Sequence, residues 1–142
     1  MIENDGSVVA ALSVFLLARI TEREAAARKC AEVYPPPWDV ADRGHTATVR
    51  ADEPNFWVVT ELEQSHDPNH PLGWLGDYVE HIARHDPARV LAECAAQRAI
   101  IEGDYWERND GYVGIEVIED VFRFLALPDA DHPDYHEEWK PW

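Results

Sequence analysis

The chain has 142 residues, 46% apolar and 28% charged, which suits one globular domain and excludes wholesale disorder, collagen-like repeats and a disulfide scaffold. Twenty-eight Asp and Glu stand against twelve Lys and Arg, for a formal net charge of -16 at pH 7. Binding to a phosphate backbone or an anionic membrane needs a basic footprint, so the composition argues against direct nucleic-acid binding and membrane docking.

The opening MIENDGS is acidic where a secretory leader is basic. The apolar run from Val8 to Ile20 is shorter than the ~18 residues that span a bilayer. These features predict a cytoplasmic protein, with Cys30 and Cys94 as reduced core thiols. Ala, Leu, Arg and Glu predict a helix over about 7–33, with Ser7 as its N-cap. Its first half, VVAALSVFLLARI, is apolar on nearly every face. That pattern predicts burial on more than one side, as a central helix or as the interface of a homodimer. Pro35, Pro36 and Pro37 end the helix by removing donors and clashing with the preceding turn.

The period changes over about 38–62. Asp42-Arg43-Gly44 and Asp52-Glu53-Pro54-Asn55 read as turns. His45–Arg50 reads as a short strand, and Phe56–Thr60 as the strongest strand by its β-branched and aromatic content. The turn spacing leaves no room for parallel crossovers, so an antiparallel meander is expected. Gln64–Gly76 reads as loop. Helices follow over about 77–102. Asp77–Arg84 forms a short one, and Asp86 then caps a second that has Pro87 in its first turn and stops at Gly103. Val90, Leu91, Cys94 and Ile101 mark its inner stripe. After a loop rich in Gly, Asp and Tyr, the spacing of Ile115, Ile118, Val121, Phe122 and Leu125 predicts a last helix over about 115–127, closed by Pro128. The tail, 128–142, is expected to lie on the surface, pinned by Trp139 or Trp142. The prediction is one α+β domain over 1–142: a long N-terminal helix, a small antiparallel sheet of two or three strands, and C-terminal helices.

Two stretches, EHIARHDPARVLAECAAQR at Glu80–Arg98 and LALPDADHPDYHEEWKP at Leu125–Pro141, resemble a family of small proteins from actinobacteria and their phages known as DUF6221. Its members open with an Ala/Arg/Glu-rich helix, pass through a Trp-containing β segment, and finish with a tail of this kind. The chain follows that order. Its insert before His81 and its acidic loop from Gly103 to Gly114 are longer than usual for the family. The resemblance implies no activity, but it implies a phage or prophage setting, where small acidic proteins act on host machinery.

The seven histidines include three i, i+4 pairs: His66/His70, His81/His85 and His132/His136. Such a pair chelates one metal only when both rings share a helix face. Pro68 and Pro133 interrupt the first and last pairs. His81 and His85, with Asp86, are therefore the candidate ligands for one divalent metal such as zinc or manganese. A purely structural account covers the same residues: Asp86 caps, Pro87 fits the first turn, His85 helps join two helices and His81 makes a buried hydrogen bond. The sequence shows no P-loop, GxGxxG, GxSxG or zinc-finger spacing, so no other cofactor is expected.

From Glu102 to Glu138 twelve acidic residues face only Arg108 and Arg123. Tyr105, Trp106, Tyr112, Tyr135 and Trp139 are interleaved among them. Acidic groups steer encounter and aromatics supply contact area, so these aromatics with Glu116, Glu119 and Asp120 are the candidate surface for a basic protein partner. The extreme form of such a surface is mimicry of nucleic acid. The function expected from the sequence is a small, acidic, non-enzymatic interaction module. The alternatives are a divalent-metal-dependent hydrolase or lyase using the His/Asp site, and a structural or assembly protein.

Overall fold

A computed structural model describes residues 6–42, 46–52, 57–63, 75–103 and 114–142. The fold is α+β. Helix α1 spans Gly6–Val33; strands β1, β2 and β3 span Asp39–Asp42, Thr46–Arg50 and Val58–Glu63. Helices α2, α3 and α4 then span Leu75–Ala83, Pro87–Glu102 and Ile115–Ala126, and short 3-10 turns cover Leu127–Asp129 and Glu137–Trp139. The three strands form one antiparallel sheet in the order β1-β2-β3, the expected meander. No described helix is long and apolar enough to cross a membrane. Contacts divide the chain into two compact units: Met1–Arg23 with Cys94–Trp142, and Glu24–Glu93.

In the first unit, Leu12, Phe15 and Leu16 of α1 bury their side chains with Phe122, Ala126 and Trp139. Ser13 and Thr21 are tolerated inside α1 because their hydroxyls donate to the carbonyls of Val9 (2.9 Å) and Leu17 (2.8 Å), one turn back. The helix starts at Gly6, so Ser7 stands within its first turn rather than at the cap. Burial is also one-sided. Val14 is 72% exposed, and Ala10, Ala11 and Ala18 lie open with it. Within the single chain α1 is therefore not buried on every side, and its outward positions hold mostly small residues, whose exposed area costs little.

In the second unit the sheet packs one face against α2 around Ala47, Val49 and Val79, with Trp38, Val40, Val59, Leu62 and Ile82 joining them. The strand centred on Phe56–Thr60 in the sequence instead runs Val58–Glu63, and Trp57 lies outside it, 53% exposed. Its span follows its partners on β2, and the pairing carries a bulge. Val49 pairs with Thr60 and Arg50 with Val58, so Val59 has no opposite residue. Strict alternation would send Val59 and Leu62 to opposite faces, whereas the extra residue lets both join the packed cluster. On the outer strand pair, Asp39 and Arg50 are register partners and form an ion pair at 3.1 Å.

Asp86 performs the expected cap and one task more. Its Oδ1 accepts from the Arg89 backbone N–H at 2.9 Å, while Oδ2 accepts from the Trp38 N–H at 3.3 Å. The one carboxylate therefore fixes both the start of α3 and the chain entering β1. Losing an N-cap costs about 1 kcal/mol. Asp86→Ala should lower unfolding free energy by at least that much, and Asp86→Ser, which keeps a capping oxygen, by only part of it; denaturant melts of the two variants check this.

Candidate functional site

The described part of the acidic third is α4 and the tail that follows it. Helix α4 begins at Gly114 without a side-chain cap and is amphipathic, with Phe122 and Ala126 inward. Glu116, Asp120 and Phe124 follow at i, i+4 and i+8 and so share one strip of its outer face, with Val117 beside them. Glu116 and Asp120 are exposed; Val117 is 51% and Phe124 53% exposed. The Trp142 ring lies 6.0 Å from that of Phe124 and is 84% exposed. The result is a pair of exposed aromatic rings next to two carboxylates that no cation answers among the described residues.

Glu119 has a different setting. Arg123 donates to its Oε1 from both Nε (2.9 Å) and Nη2 (2.6 Å), and both side chains are largely buried. The third donor, Nη1 of Arg123, reaches the backbone oxygen of Glu138 and so ties α4 to the tail. Glu119 is thus an internal ion-pair residue. Trp139 lies in the core at 4% exposure, 5.3 Å from Phe15 and 5.6 Å from Tyr135 by ring centres, with His136 stacked on it at 4.4 Å. Tyr135 is half-buried and packs edge-on against Phe15. Tyr105, Trp106 and Tyr112 lie outside the described residues. Of the exposed aromatics, the sequence reading named Trp142 only as one of two candidate anchors of the tail, a task that falls to Trp139, and did not single out Phe124. For Phe124 the signal was present, since it falls off the inward stripe of its own helix.

Arg19 sits beneath the tail, 8% exposed, with its guanidinium 5.3 Å from the centre of the Phe15 ring. It donates to Glu22 at 2.9 Å and to Nε2 of His132. Arg23 lies 3.7 Å from Asp129. A groove of about 350 Å³ runs between Ala11, Val14 and Ala18 on one side and His136 and Trp139 on the other. At the tail, Lys140 pairs with Glu137, whose hydrogen bond and charge raise the lysine pKa. The pair therefore keeps its charge at neutral pH and loses it only as pH climbs through the raised lysine value.

In the second unit, His81 and His85 stand side by side, exposed, with ring centres 4.8 Å apart. Nδ1 of His85 lies 2.8 Å from the His81 carbonyl oxygen. Asp86 faces away into its capping role. Among the described residues no group of three or more His, Cys, Asp or Glu side chains is placed to enclose a metal ion. His66 and His70 lie outside the described residues. Both cysteines are free thiols: Cys94 is buried, and Cys30 is half-buried where a core position was expected. Burial raises the Cys30 thiol pKa.

Across the described residues each of the eight arginines lies within 4.0 Å of a carboxylate. The tightest of these contacts, Arg19–Glu22, Arg89–Glu93 and Glu119–Arg123, lie at 2.6–2.9 Å.

Compared with known families, residues 9–141 match the model of the family of unknown function DUF6221. The chain belongs to DUF6221. No curated protein and no solved structure matches it. Family membership carries no activity with it, so function has to be argued from the surface itself.

Two outcomes follow from this geometry. Trp139→Ala, which empties a core position, should cost about 3–5 kcal/mol, whereas Trp142→Ala should leave stability within about 0.5 kcal/mol of wild type; chemical denaturation measures both. At pH 8 the raised pKa leaves Cys30 with less thiolate than a free cysteine. A colorimetric thiol reagent should therefore label Cys30 slowly, and Cys94 only after denaturant is added.

Proposed function

We propose that this member of DUF6221 is a non-enzymatic interaction module that binds a basic protein partner through the outer strip of α4. The observation that carries the reading is the conjunction of Glu116 and Asp120, both unanswered, with the exposed Phe124–Trp142 ring pair. Exposed aromatics supply contact energy when a partner covers them, and the carboxylates steer a cationic surface toward them. The rest of the chain supports this polarity. Each described arginine has a carboxylate within 4.0 Å, and the chain as a whole carries an excess of acid, a net charge of -16. A phage or prophage setting and a cytoplasmic location are part of the proposal: a small acidic protein that acts by occupying a cationic surface on host machinery.

The test is affinity purification from the native host at increasing salt, with three variants beside the wild type. Glu116→Lys/Asp120→Lys and Phe124→Ala/Trp142→Ala should each lose a partner that the wild type retains stoichiometrically, and the wild-type complex should weaken as ionic strength rises. Glu119→Lys serves as the contrast. It should lower unfolding free energy by about 1–3 kcal/mol, because it breaks a hydrogen-bonded, largely buried pair. The proposal fails if the folded double-lysine variant retains the same partner as the wild type at unchanged salt dependence.

A further inference from the structure

Of the three i, i+4 histidine pairs, the structure shows His81 and His85 with their rings together on one exposed helix end. The described pair His132/His136 is divided between other tasks. His132 accepts from buried Arg19, and His136 stacks on Trp139. His81 and His85 stand free of such tasks except for one bond, and that bond is informative. A carbonyl oxygen can only accept, so the 2.8 Å contact from His85 Nδ1 to the His81 carbonyl makes Nδ1 the protonated nitrogen. In the neutral ring Nε2 then holds the lone pair. Histidines that ligate metals are set up in this way, with one ring N–H fixed by a backbone carbonyl and the other nitrogen turned to the ion. The helix spacing brings the second imidazole to 4.8 Å between ring centres, and one ion at ~2.0–2.1 Å from a nitrogen of each ring can bridge centres that close.

We propose that His81 and His85 form a two-histidine binding site for a divalent transition-metal ion of the imidazole-preferring class, such as Zn²⁺. Asp86 is left out of the ligand set because its two oxygens are turned to backbone donors, one to the Arg89 N–H and one to the Trp38 N–H. Two protein ligands leave the remaining coordination positions to water or to a donor from another molecule. On the same helix end Glu80 and Arg84 form an ion pair with each other at 3.6 Å. Imidazole nitrogen selects zinc, copper or nickel over magnesium or calcium, which prefer oxygen donors.

The experiment is isothermal titration calorimetry of the full chain with zinc chloride, with far-UV circular dichroism confirming that each variant is folded. Wild type should bind one Zn²⁺ per chain at this site. Loss of a mere supporting group near a metal costs about 10–100-fold in affinity, so His81→Ala and His85→Ala should each weaken that step by no less. His136→Ala and Asp86→Ser should leave it within about twofold of wild type, since neither residue is a ligand. Asp86→Ser preserves the cap, so a folding defect does not stand in for lost metal. Absence of zinc binding by the folded wild type, or an unchanged isotherm in the His81→Ala/His85→Ala double variant, overturns the proposal. So does loss of binding in folded Asp86→Ser, which would place the carboxylate in the coordination sphere.

Discussion

The burial of Trp139 beside Phe15 holds the C-terminal tail against the first helix, and the acidic face of the first unit depends on it. The indole fills a core position among Phe15, Tyr135, Phe122 and Leu12. Polar ties then follow from its placement: Arg123 to the Glu138 carbonyl, Arg19 to His132, and Arg23 near Asp129. Of these, the Arg23–Asp129 pair is partly exposed and is worth about 0–1 kcal/mol. Their role is to set where the tail runs once the indole has anchored it. The anchored path brings Trp142 against Phe124 and leaves both rings uncovered.

Charge distribution is the second constraint. An excess of acid on this scale would destabilise the compact state by self-repulsion if cations were scattered. Instead, arginines are placed one helical turn from carboxylates, as in Glu80/Arg84, Arg89/Glu93, Arg98/Glu102 and Glu119/Arg123. Among the described residues the arrangement pairs each arginine with a nearby carboxylate and leaves Glu116 and Asp120 without a cation. The proposed role rests on that contrast, since unanswered carboxylates would steer a cationic protein surface and oppose anionic ones.

Much of the architecture was legible in the sequence because local rules decided it. Asp86-Pro87 announced the start of α3 through cap chemistry, and the 3.6-residue stripe from Ile115 to Leu125 announced α4. The antiparallel meander followed from turn spacing, with two or three strands expected. The misplacements have physical causes of the same kind. Strand β3 runs on to Glu63 because its span is set by pairing with β2, which composition does not reveal. The first helix read as apolar on every side because Val and Ala count as apolar wherever they point. The site was less legible than the fold. Trp139 and Trp142 are the same residue type three positions apart, and only tertiary packing decides which is core and which is surface. Glu119 was separable in principle, since Arg123 lies four residues on, whereas Glu116 and Asp120 have carboxylates or apolar residues at that spacing. The histidine pair on α2 stood out by spacing alone, but the engagement of Asp86 elsewhere required the structure.

The central claim is that the outer strip of α4, together with Trp142, is the surface a partner covers. Amide hydrogen exchange on the full chain, free and in complex with a co-purified basic partner, tests it most directly. The account predicts that exchange slows on binding across residues 115–126 and at the end of the tail, with the sheet and α2 unchanged. Slowing confined to the sheet or to α2, with α4 exchanging as in the free chain, would contradict it.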